Sequence, residues 1–103
     1  MYGKYIEKII TTVAEVTEVS SDDIKSKSRK ETVSFARKMF IECCYRYSIP
    51  TSAIAAYLNR SNDGIRKLYI SLVQNNLSNV EKNTERVITD KLDSYFIEHP
   101  ISK

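Results

Sequence analysis

Arg60, Ser61, Asn62, Asp63, Arg66 and Lys67 gather hydrogen-bonding side chains of several kinds into one short stretch, and the chemistry they share is recognition of bases and phosphates. A guanidinium fork pairs with guanine O6 and N7, a carboxamide pairs with adenine, and hydroxyls and ammonium groups bind phosphate oxygens. Covalent chemistry has no comparable set. His99 is the single histidine and belongs to the C-terminal tail, so neither a Cys-His nor a Ser-His pair is supported, and no glycine-rich phosphate loop occurs. Carboxylates such as Glu15, Glu18, Asp22 and Asp23 are scattered in the manner of a solvated face. No catalytic residue, metal site or cofactor is expected.

Base-reading side chains need a rigid helix to carry them, and the segment from Thr51 to Leu68, TSAIAAYLNRSNDGIRKL, has the internal spacing of a helix-turn-helix. Ile54, Ala55 and Leu58 set one apolar stripe on a short first helix. Ala55 is small, as two helices crossing closely over a short turn require. Asn59 stands where that helix must stop, a position that favours positive φ and takes Gly or Asn. Ser61 then caps the second helix, its hydroxyl accepting from the amide of Asp63 or Gly64, and Asp63 suits the helix dipole. Ile65, Leu68, Tyr69 and Leu72 face inward. Asn62, Asp63, Arg66 and Lys67 are left on the opposite face, the one a recognition helix offers to the major groove. Gly64 is unfavourable in a helix by about 1 kcal/mol relative to alanine, less near the N-terminus.

The remaining chain supplies the support. With 103 residues and 42% hydrophobic content, one domain of residues 1–103 with one core is expected. Two glycines, two prolines and no sustained period-two alternation favour an all-α fold of five or six helices. Tyr5, Ile6, Ile9, Ile10, Val13 and Val16 stripe a first helix. Ser20 or Ser21 caps a very short second one. A third runs from about Lys30 to Ser48 with Val33, Ala36, Phe40, Cys43 and Tyr47 inward, and Pro50 ends it. The helix-turn-helix occupies 51 to about 77, and a last helix from about Asn79 to Ile97 closes the core with Val87, Ile88, Leu92, Tyr95 and Phe96. Adjacent Cys43 and Cys44 have no partner for a disulfide; one is expected in the core and the other at its edge. Apolar runs fall far short of the roughly 20 residues that span a bilayer, and no signal-peptide pattern is present, so a cytoplasmic protein is expected.

Net charge is only +3, but it is unevenly placed. Residues 25–48 hold seven Lys or Arg against two Glu, and residues 49–78 hold three against one Asp, whereas both ends of the chain are net acidic. A basic centre with acidic ends fits one face set against phosphate.

In its order of residues the chain resembles the C-terminal DNA-binding domain of the bacterial replication initiator DnaA, a Trp-repressor-like helical fold. The likeness runs from Ile6 to about Phe96: IEKII as the opening helix, then VSSDDIKSKSRKETVSFARKMF as short acidic helix, basic loop and long helix with its Ala-Arg pair, then the helix-turn-helix. The resemblance implies double-stranded DNA as partner. Lys25, Lys27, Arg29 and Lys30 would take the loop's role against backbone and minor groove, with Arg37 nearby. Arg60, Ser61, Asn62, Asp63, Arg66 and Lys67 would take the major-groove role. Where the family carries a Gly-Arg-Asp-His-Thr-Thr-Val type signature, this chain has Asn59-Arg60-Ser61-Asn62-Asp63-Gly64-Ile65, so the family's preferred DNA site is not carried over. No Walker motif occurs, and ATP-driven origin opening is not expected of this chain by itself. Replication initiation, mobile-element maintenance and transcriptional control all use such a module. One module buries about 600–1,000 Å², so tight binding calls for a dimer, a partner or repeated sites. The alternative is a protein-interaction domain that keeps the fold and binds a replication or regulatory protein.

Overall fold

The computed structural model describes residues 2–74 and 77–100, the side chains of 73 and 74 excepted. Among the described residues six helices follow one another: α1 (Gly3–Thr17), α2 (Ser21–Lys25), α3 (Glu31–Arg46), α4 (Thr51–Leu58), α5 (Asn62–Gln74) and α6 (Asn79–Glu98). The expected boundaries agree with these to within two residues, except that the motif, expected to reach about 77, is described as helix only to Gln74, residues 75 and 76 lying outside the described residues and Leu77 beyond the helix. Every element among the described residues is a helix, as the all-α expectation has it.

α3 is the central element because it is apolar around more than half of its circumference. Val33, Ala36, Met39, Phe40, Ile41, Cys43 and Cys44 are all buried, and α3 packs against α1, α2, α4 and α5. An edge position for one cysteine is therefore corrected. Consecutive residues on a helix lie about 100° apart, so both can be buried only where neighbours cover two sides, and both thiols are fully enclosed. Burial and the nearby Glu42 carboxylate push the Cys43 thiol pKa far up, and burial does the same at Cys44, which keeps both thiols protonated.

α1 presents Ile6, Ile9, Ile10 and Val13 to α3 and α6, all buried as its spacing predicts. α6 starts on a reciprocal capping box: the Glu81 amide donates to Ser78 Oγ (3.2 Å) and the Ser78 amide to Glu81 Oε1 (2.9 Å). Its Ile88, Thr89 and Leu92 are buried. Val87 is not part of the closing face; it is 44% exposed, being one step off the Ile88–Leu92 line. At the far end Phe96 packs among Tyr5, Tyr47 and Tyr95, and Tyr47 Oη donates to Asp93, which fastens the end of α3 to α6.

Helix α3 does not stop because of Pro50. Ser48 adopts φ 63°, with its amide donating to Tyr45 O (3.0 Å) and the Ile49 amide to Cys44 O (2.9 Å), the bond pair of a Schellman ending. Pro50 instead precedes α4, where its carbonyl accepts from the amides of Ala53 (3.0 Å) and Ile54 (3.2 Å). Among the described residues no helix is long and apolar enough to cross a membrane.

Candidate nucleic-acid interface

The turn between α4 and α5 is made by a second Schellman ending. Asn59 takes φ 54°, the Asn59 amide donates to Ala56 O (3.3 Å), and the Arg60 amide reaches back to Ala55 O (2.9 Å). Asparagine is the residue that adopts this conformation most readily after glycine. Ile54, Ala55 and Leu58 of α4 and Ile65 and Leu72 of α5 are buried between the helices and α3, with Leu68 and Tyr69 half-buried beside them. Ser61 Oγ accepts from the Gly64 amide (3.0 Å) and Ser61 O from the Ile65 amide (3.1 Å), so α5 starts at a capped end. A Cβ on Gly64 would stand 3.2 Å from that Oγ. The glycine keeps the cap clear.

Asn62, Asp63, Arg66 and Lys67 all point to solvent. Asp63 Oδ1 lies 3.6 Å from Arg66 Nη1 with both side chains largely exposed, a contact of small energy that leaves Arg66 available.

The basic loop, residues 26–30, is built by serines. Ser26 Oγ donates to Asp23 O (2.6 Å) and accepts from the Ser28 amide (3.1 Å), and Ser28 Oγ accepts from the Lys30 amide (3.3 Å). Beneath it lies Arg37, only 3% exposed. Its Nε donates to Ile24 O (2.9 Å), Nη1 to Ser28 O (3.0 Å), and Nη2 to Ser26 O (2.7 Å) and Asp23 O (3.3 Å). Arg37 is expected near DNA, but the structure buries it and directs four of its five N–H donors to backbone carbonyls, which withdraws most of its hydrogen-bonding capacity from a phosphate. Arg37 moulds the loop. The signal was readable: Arg37 stands four residues after Val33 and three before Phe40, on the inward stripe of α3.

Two further contacts join the loop to the helix-turn-helix. Lys27 Nζ donates to Asn59 O (3.0 Å), and Arg60 Nη2 to Ser26 O (3.3 Å). Lys25 lies with Nζ 4.7 Å from the centre of the Tyr57 ring, a cation–π contact that ties α2 to α4. Of the expected loop cations, Arg29 and Lys30 remain exposed, while Lys25 and Lys27 are already in contact with α4 and its turn.

Between loop and α5 runs a crevice of about 400 Å³ lined by Lys27, Ser28, Arg29, Arg37, Arg60 and Leu68. Four of these residues are cationic. Burial, and then the charge of Arg60, lowers the Arg37 pKa from its ordinary value; arginine nevertheless stays charged, so the field in the crevice is positive. Arg60 Nε is buried there with no hydrogen-bond partner. Among the described residues no cluster of His, Cys, Asp and Glu could hold a metal ion.

The family model for the bacterial dnaA protein helix-turn-helix matches residues 6–63. The chromosomal replication initiator protein DnaA of Helicobacter acinonychis (strain Sheeba) is 32% identical over 72 residues, which cover 68% of this chain and 16% of that protein. The chain thus spans a small part of the length of this relative. No solved structure matches it. The family match ends within the first turn of α5. It takes in the loop and the turn but not the rest of the outward face.

Proposed function

We infer that this chain, which belongs to the bacterial DnaA helix-turn-helix family, is a duplex DNA-binding module in which the basic loop holds the backbone and α5 reads bases. The observation that carries the reading is the joining of loop and turn by Lys27 and Arg60, which makes two elements distant in sequence into one cationic surface. Arg29 and Lys30 neutralise phosphates, and the positive field of the crevice above Arg37, lined also by Lys27 and Arg60, attracts the backbone. Lys25 and Lys27 add charge to the same field while holding the loop in place.

On α5, Arg66 is the first base-reading residue, its fork suited to guanine, and Asn62 pairs with adenine. Lys67 lies toward the backbone, and the capped N-terminus at Ser61 adds amide donors for a phosphate. Asp63 stands beside Arg66 in the free protein and accepts from cytosine N4 when the helix is in the groove. The process served is replication initiation, as in the relative whose name states that role. A single module of this kind binds modestly, and tight binding then requires a second copy, a partner protein or repeated sites.

Fluorescence anisotropy of labelled duplex across a salt series tests this. Log K should fall by about 0.9 per neutralised phosphate for each unit of log salt, and Lys30→Ala should lower that slope by about one on matched and scrambled duplexes alike. Arg66→Ala should cost about 1–3 kcal/mol on the matched duplex alone. A salt-independent affinity, or equal losses for both variants on both duplexes, would favour a protein-binding face instead.

A further inference from the structure

We propose that Ile70 recognises a thymine through its 5-methyl group, an inference that rests on α5 being the base-reading helix. Ile70 is 48% exposed and, among the described residues, the one large apolar side chain of α5 that is exposed. It follows Arg66 by four residues and Asn62 by eight, so it lies on the same outward face. At 1.5 Å per residue it stands about 12 Å along the axis from Asn62, a separation that takes in a few base pairs.

Chemistry selects the target. An isoleucine offers no hydrogen bond and gains nothing from a phosphate, and the one apolar group that bases show in the major groove is the thymine methyl. Arg66 and Lys67, both exposed one turn earlier, supply the attraction that brings the helix into the groove. Ile70 then adds discrimination where polar side chains add affinity. Its aliphatic surface is left in water in the free protein and is covered only when the groove closes over it.

The test uses the full chain. Duplexes are first recovered from a random library by the wild-type protein, then each thymine of the recovered site is replaced in turn by deoxyuridine, which removes only the methyl. At one position the wild type should lose about fourfold in affinity, the value of burying one methyl-sized group. Ile70→Ala should bind the thymine duplex more weakly and lose that sensitivity, whereas Arg66→Ala should keep it. Helix content by circular dichroism should be unchanged in Ile70→Ala, since the residue is outside the core. A recovered site at which no deoxyuridine matters, or at which Ile70→Ala remains as sensitive as wild type, overturns the assignment to Ile70 and leaves base reading by α5 standing. Recovery of no preferred sequence overturns base reading by α5, and this proposal with it.

Discussion

At Arg37 a permanent charge sits inside the fold, held by four backbone carbonyls of residues 23–28. Hydrogen bonds to a charged group each contribute about 1.5–3 kcal/mol, and a carbonyl left buried without a donor is costly. Arg37→Met is therefore expected to destabilise the protein by about 2–4 kcal/mol, read as a lower urea midpoint at unchanged slope. Arg37→Lys should recover little of this, because one ammonium cannot reach four diverging acceptors as the planar fork does. Wild-type stability in Arg37→Met would return the residue to a phosphate-contacting role. Residue types alone do not separate these roles. Arg29 and Arg37 are both arginines within the basic segment, and only the inward stripe of α3, with a loop folded back above it, makes one of them a core residue. Ile70 is inconspicuous for the opposite reason: one apolar residue on an otherwise polar outward face sets up no pattern of its own.

Helix ends show how far local chemistry determines an element. Ser61 and Asn59 do what their types suggest, capping α5 and closing α4 in the left-handed conformation, and the apolar stripes of α1 and α5 face the core as their spacing implies. Ser48 gives no such signal. It takes the same left-handed conformation at φ 63°, which serine does not favour, and the proline two residues later suggests a different cause for the helix stop. Ser48→Gly should thus raise stability by about 0.5–1 kcal/mol, the left-handed penalty of roughly 1–2 kcal/mol less the added freedom of glycine in the unfolded chain. Asn59→Gly should change it little, since asparagine already tolerates the conformation. Chemical denaturation of the two variants side by side checks this, and a loss of stability in Ser48→Gly would mean that the serine side chain contributes more than its backbone strain removes. Five or six helices in this order are legible because the longer ones carry an apolar period and serines cap α2 and α5. Burial of both Cys43 and Cys44 is not, since it depends on α3 being covered from two sides by elements far away in sequence.

For the whole molecule, the uneven charge along the chain becomes a surface. Basic residues of 25–30 and 60–67 come from segments about thirty positions apart, and the Lys27–Asn59 and Arg60–Ser26 contacts place them side by side. Sequence shows that both segments are basic; that they share one crevice of about 400 Å³ follows only from the packing of α2 and α4 on α3. On the proposed function, loop and α5 engage DNA as a single face. The most direct test is chemical-shift mapping of the isotope-labelled protein titrated with a recovered duplex. Amides of Arg29, Lys30 and residues 61–70 should shift together in one titration step, while those along α6 stay in place. Shifts confined to α1 and α6, or a loop that does not respond while α5 does, would contradict it.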